Sequence, residues 1–127
     1  KGGFSTDEIY EMFPNLYERR SSPGTRLSGG EQQMLAMARI LRTGANILLL
    51  DEITEGLAPV IVQKLGRVVK SLRQKGFTII LVEQNFDLAM RLADDVVVLN
   101  TGQVALSGTH EAVQTNPDLA TRHLGVF

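Results

Sequence analysis

Two short stretches of this 127-residue chain carry residue types that could do chemistry. The first is Leu27 to Gln33, LSGGEQQ, in which a serine and two glycines stand directly before a helix-forming run. A helix start offers free amide donors and a partial positive charge, and Gly29 and Gly30 let an anion approach the backbone with no Cβ in the way. That pattern suits a phosphate seat. Ser28 and Glu31 also have the spacing of a capping box, in which each side chain closes the other's amide, so two readings compete here. The double glycine weighs against a simple cap, because glycine costs a helix about 1 kcal/mol per interior position.

The second stretch is the pair Asp51-Glu52, which ends the apolar run Ile47 to Leu50. A hydrophobic strand of a parallel sheet delivers such residues to its C-terminal edge, where open α/β folds bind ligands. Successive strand residues point in different directions. One acid can then hold a hydrated magnesium ion while its neighbour orients or deprotonates a water. Two acids after an apolar run are also what an ordinary loop start looks like. Their weight comes from LSGGEQQ one helix earlier.

The elements that position these groups follow from periodicity. Thr6-Asp7-Glu8 ahead of Ile9, Tyr10, Met12 and Phe13 predicts a short capped helix halted by Pro14, then a polar loop, ERRSSPGTR. Met34, Leu35, Ala38 and Leu41 recur on one face, predicting an amphipathic helix over about 29–42 that ends at Thr43-Gly44. Ile47 to Leu50 is wholly apolar and too short for a helix, as expected of a strand buried on both faces. Pro59 fits the first turn of a helix whose Val62, Leu65, Val68, Val69 and Leu72 form one stripe, with Gly76 as its stop. Thr78 to Val82 is a second such run, closing on Glu83 and Gln84, so strand, helix and strand form a parallel crossover with polar groups at one edge. A helix from about Phe86 to Ala93 then leads to a strand at Val96 to Leu99. Asn100-Thr101-Gly102 turns that strand back into Gln103 to Leu106 as a hairpin, and Asn116-Pro117 opens a helical tail. Met34 and Met37 read as core filling. His110 and His123 lack partners at ligand spacing and read as surface residues.

Composition narrows the classes. With 43% hydrophobic residues the chain is one domain or a large piece of one. Thirteen Lys and Arg against 14 Asp and Glu leave a net charge of -1, which creates no field to recruit nucleic acid or anionic lipid. The absence of cysteine excludes disulfides and thiolate metal sites and suits a reducing compartment. No apolar run approaches the ~20 residues that span a bilayer, and KGGFSTDE has no signal-peptide pattern. The expectation is a soluble, cytoplasmic chain. It opens at Lys1 in mid-pattern, as a piece of something longer would.

LSGGEQQ, the helix containing MARIL, then ILLLDE and TEGLAP together resemble the second half of an ABC-type ATPase subunit. The resemblance runs from about Arg26 to Gly108, and LNTGQVALSGTHEAV is similar to the segment that follows the switch position in that family. The implied fold class is α/β: part of a P-loop NTPase (RecA-like) parallel sheet with flanking helices, the signature-motif part of a helical subdomain, and a C-terminal β-hairpin and helices. The implied domains are 1–42, the end of the helical subdomain with the signature helix; 43–108, the C-terminal part of the ATPase core; and 109–127, a helical tail. The resemblance assigns Asp51 to magnesium through water, Glu52 as the catalytic carboxylate, and Gln84 to the switch position. It also makes Glu55 to Ala58 the D-loop, with Gly56, Leu57 and Ala58 at the nucleotide. Ser28, Gly29, Gly30 and Gln32 would face the ATP of an opposite subunit, so the signature helix would act in trans. The phosphate-cradling pattern G-x-x-x-x-G-K-S/T does not occur in the chain, as expected of a C-terminal half that cannot complete a site by itself.

Three residues depart from the family pattern: Ile53 replaces proline, Ala58 replaces the D-loop aspartate, and Gln84 replaces histidine. Gln84 can donate a hydrogen bond to a γ-phosphate but cannot become cationic, which leaves the catalysis to Glu52. GLAP with VEQN resembles the ATPase subunits of branched-chain amino-acid importers. That implies an ATP- and magnesium-dependent subunit coupling hydrolysis to transport, peripheral on the inner face of the cell membrane. Its partners would be a second ATPase subunit and transmembrane permease subunits, with no nucleic acid. The chain alone is expected to be inactive, and to self-associate through strands whose flanking half-sheet it lacks. One alternative is a noncatalytic half-domain that lends its signature motif in trans; Ala58 and Gln84 favour it, and Asp51 with Glu52 oppose it. The other is a non-transport ABC ATPase, which would carry tandem domains or a coiled-coil insertion, and neither is visible.

Overall fold

In a computed structural model, which describes residues 2–116, Ser5 caps helix α1 (Thr6–Met12). The Glu8 amide donates to Ser5 Oγ at 3.2 Å and the Ser5 amide donates to Glu8 Oε2 at 2.7 Å, closing a capping box. Hydrogen bonding of its carboxylate by the Ser5 amide first, and by the Ser5 side chain, lowers the Glu8 carboxyl below the usual carboxylate range. Pro14 does more than halt this helix. It takes the first position of a second helix, α2 (Pro14–Glu18), where its fixed φ is suited and its missing N–H is not needed, so the polar loop begins only after that turn.

The chain divides into two units, Lys1–Glu83 and Gln84–Phe127. In the first, α3 (Gly29–Leu41) buries Met34, Met37, Ala38 and Leu41. Strand β1 (Ile47–Asp51) pairs in parallel with β2 (Thr78–Val82), from Ile47 beside Thr78 to Asp51 beside Val82. Between them runs α4 (Pro59–Gln74), the crossover read from the sequence. Its end is a Schellman cap: Gly76 has φ 92°, its amide donates to Arg73 O, and the Phe77 amide donates to Leu72 O. The core of this unit is built from Ile9, Phe13 and Leu16, the buried face of α3, Leu48 and Leu50 of β1, and Leu65, Val69 and Leu72 of α4.

The strands are not buried on both faces. Leu48 and Leu50 are 1% and 5% exposed, whereas Ile47 and Leu49 are 59% and 70% exposed and Ile80 and Val82 are 56% and 51% exposed. Alternation puts the second set on one side of the pleat, and no described element of this unit covers that side.

In the second unit, Asn85 Oδ1 accepts from the Leu88 amide and caps α5 (Phe86–Leu92). Strands β3 (Asp95–Asn100) and β4 (Gln103–Thr109) then form the expected antiparallel hairpin. Thr101 and Gly102, at φ 50° and 76°, make its two-residue turn, the left-handed pair that a right-twisted hairpin favours. The pairing skips Ala105, where the strands slip register. Thr109 caps α6 (His110–Gln114). His110 is half-buried rather than on the surface, and its Nε2 lies 3.1 Å from Gln114 Oε1 along the helix. His123 and the tail helix expected from Pro117 onward lie outside the described residues.

Candidate functional site

The C-terminal ends of β1 and β2 gather the carboxylates. Asp51 is the last residue of β1 and is exposed. Glu52 leaves the strand with φ 48°, a left-handed backbone that a residue with a Cβ seldom adopts, and its amide donates to Val82 O at 2.8 Å. The turn that follows is tied down on both sides. Ile53, in the position of the family's proline, is buried. Thr54 is buried as well, and its Oγ1 donates to Glu83 Oε1 at 2.8 Å. The Glu55 amide donates to Glu52 O and the Leu57 amide to Thr54 O, at 3.3 and 3.2 Å, and Gly56 turns the chain at φ 70°. A hydrogen bond with the Glu52 carboxylate, and repulsion from it, push the Glu55 carboxyl above its usual range.

The start of α3 is a closed capping box. The Ser28 amide donates to Glu31 Oε2 at 2.9 Å and the Glu31 amide donates to Ser28 Oγ at 3.3 Å, which is the simpler of the two readings of LSGGEQQ. The Gln32 side chain folds back, donating to Leu27 O at 3.1 Å. The amides of Gly29 and Gly30 precede any helical acceptor, and Gly29 is exposed. The double glycine also has a packing role. A Cβ on Gly30 would lie 2.5 Å from Ile61 Cγ2, and one on Gly29 would lie 3.2 Å from Leu57 Cδ2. The fold therefore brings the start of α3 against Leu57 and the first turn of α4. Ala58 is the N-cap of α4 and makes no side-chain cap bond. Gln84 opens the second unit and is exposed just before the cap of α5.

The donor set suits a hydrated magnesium ion better than a protein-caged one. Among the described residues no group of three or more His, Cys, Asp or Glu could hold a metal. Magnesium with a nucleotide needs only one or two carboxylates, water and phosphate oxygens completing its shell, and exposed Asp51 would supply one. Among the described residues no helix is long and apolar enough to cross a membrane. Sequence reading missed the Thr54–Glu83 bond and the Gly30–Ile61 approach. Two polar residues just beyond the ends of adjacent strands were the available signal for the first, and a glycine with an unexplained helical cost for the second.

Comparison with known proteins points one way. The model of the ABC transporter family matches residues 6–55. The high-affinity branched-chain amino acid transport ATP-binding protein BraG of Pseudomonas aeruginosa is 42% identical over 133 residues, covering 98% of this chain and 57% of that protein. The probable branched-chain amino acid transport ATP-binding protein LivF of Archaeoglobus fulgidus is 40% identical over 81% of this chain and 44% of its own length. The chain thus spans about half the length of the curated relatives it matches. A solved ATP-binding cassette of an ABC transporter, in its ADP conformation, shares the fold with a TM-score of 0.72 and 26% identity, over 92% of this chain and 47% of that one. A second structure of such a cassette has a TM-score of 0.77 at 20% identity, over 100% of this chain and 54% of that one, which speaks for the fold alone. Motif order, parallel crossover and relatives point the same way: the chain matches the ABC transporter family over residues 6–55 and is similar along most of its length to ATP-binding proteins of ABC transporters.

Proposed function

We propose that this chain is the C-terminal part of the ATP-binding subunit of an importer for branched-chain amino acids, in which ATP hydrolysis drives transport. The observation that carries the reading is the end of β1, where exposed Asp51 and anchored Glu52 stand side by side at the carboxyl edge of a parallel pair. Asp51 would hold the magnesium ion of Mg-ATP through water, and Glu52 would orient and deprotonate the attacking water. Gly56, Leu57 and Ala58 form the D-loop. Ser28, Gly29, Gly30 and Gln32 serve the nucleotide of a second ATPase subunit, with the open Gly29 amide as a donor. Gln84 is assigned from its sequence position to hydrogen-bond a γ-phosphate. The absence of G-x-x-x-x-G-K-S/T and the match to about half of each relative support a subunit completed by other residues. Permease subunits at the inner face of the cell membrane are the remaining partners, and the chain by itself self-associates.

The test is Glu52→Gln in the intact subunit. The amide keeps the shape of the carboxylate but is no base, so ATP binding persists, ATP-bound dimers accumulate and turnover falls by far more than tenfold. Uptake of leucine, isoleucine and valine falls with it. A variant that keeps more than about a tenth of the wild-type rate, a barrier change under ~1.4 kcal/mol, shows that Glu52 is not the base.

A further inference from the structure

We propose that Glu83, acting through Thr54, is a positioning residue that holds Glu52 in its working orientation. The inference rests on the reading of Glu52 as the catalytic carboxylate. Glu52 sits in left-handed backbone at φ 48°, which does not persist in a non-glycine residue unless its neighbours hold it there. On its N-terminal side the restraint is plain: Asp51 is paired with Val82 in the sheet, and the Glu52 amide donates to Val82 O. On its C-terminal side β1 has ended and the ladder offers nothing further; the contacts there come from within the same turn, the Glu55 amide to Glu52 O at a long 3.3 Å and the Glu55 carboxyl to that of Glu52. There the Thr54 hydroxyl takes over, donating to Glu83 Oε1 at 2.8 Å.

The two restraints engage consecutive residues, Val82 and Glu83. The seam between β1 and β2 is thereby prolonged past the sheet by a side-chain bond, with Glu52 clamped between its last backbone rung and this added one. Thr54 is only 7% exposed and is the one buried polar side chain among the described residues. A buried hydroxyl needs a partner, and a carboxylate makes the stronger, charge-assisted bond. Glu83 is a poor candidate for any direct role in this frame, since its Oε1 is committed to the hydroxyl. The contacts from Glu55 move with the turn, so without the Thr54–Glu83 bond anchoring that turn to the end of β2, Glu52 can relax toward negative φ, which swings its Cα–Cβ direction and carries the carboxylate away from the water it must orient. Misplacement by about 1 Å can cost about 100-fold in rate.

The test compares kcat and KM for ATP in the intact subunit. Thr54→Val keeps the shape and removes the donor, and Glu83→Leu removes the acceptor. Either lowers kcat at least about tenfold with KM nearly unchanged, the mark of an interaction needed in the transition state. Thr54→Ser and Glu83→Gln retain a donor and an acceptor, and recover most of the turnover. The double variant T54V/E83L is no slower than the slower single, because one bond is lost in all three. Should T54V fail to fold, E83L against E83Q carries the comparison. Turnover retained in T54V or E83L while Glu52→Gln is inactive overturns the positioning role alone. So do conservative variants as slow as the disruptive ones, or losses that add in the double variant. Turnover retained in Glu52→Gln overturns the role together with the reading beneath it.

Discussion

A Cβ built on Gly30 would stand 2.5 Å from Ile61 Cγ2, far inside any carbon–carbon contact distance. The glycine is therefore required by the approach of α3 to α4, whatever else it serves at the helix start. Gly30→Ala should destabilise the chain by about 1–3 kcal/mol, the usual cost of overpacking a close contact. Urea denaturation measures it. Ile61→Ala removes the clashing methyl, so the double variant should be more stable than the sum of the two single losses by at least about 0.5 kcal/mol. Additive losses would place the strain elsewhere. Glu55 teaches a related lesson. Its raised carboxyl reflects Glu52, a neighbour three residues back across the turn, which hydrogen-bonds and repels it.

At the scale of elements, α4 is well ended and poorly begun. Gly76 closes its C-terminus with both bonds of a Schellman motif, while its N-cap, Ala58, makes no side-chain bond. The backbone at Ala58 is already extended, at φ -63° and ψ 145°, as a cap residue requires, and Pro59 occupies the first turn. Ala58→Asp, which restores the family's residue, should stabilise the chain by about 0.5–2 kcal/mol through an amide bond and the helix dipole. The change is read as a higher midpoint in thermal unfolding. An unchanged or lower midpoint would mean that an aspartate here cannot reach the free amides of α4. The hairpin of β3 and β4 shows the same local logic in reverse, since Thr101-Gly102 makes the required turn with a β-branched residue at positive φ where asparagine would be more usual.

At the scale of the whole molecule, the exposed face of β1 and β2 dominates expectation. Ile47, Leu49, Ile80 and Val82 are each more than half exposed on one side of a two-stranded sheet. A fully buried Val, Leu or Ile side chain is worth about 1.5–3 kcal/mol, so covering four of them offers several kcal/mol against a typical domain stability of about 5–15. Among the described residues both strands also lack a second ladder partner, and open apolar edges recruit other strands. The chain on its own should therefore self-associate without nucleotide, with a mass above one copy by light scattering after size exclusion at low-micromolar concentration. A cooperatively melting monomer would rule this out.

The strands, the crossover helix and the hairpin were legible in the sequence because each is specified within a few residues: apolar runs of strand length, Pro59 and Gly76 at the two ends of α4, Thr101-Gly102 between two strands. The carboxylate pair at the end of β1 was legible for the same reason, since Asp51 and Glu52 directly follow the run that places them. Local reading failed where one residue serves two patterns, as Pro14 does in ending one helix and beginning another. The sequence by itself thus determined most of the elements, their order and which polar residues stand at their ends. Only the tertiary structure decided which partners these residues meet. Thr54 finds Glu83 across 29 residues, Gly30 meets Ile61, and among the described residues one face of an apolar sheet is covered while the other is not. Those outcomes depend on pairing between segments far apart in the chain, which no local periodicity encodes.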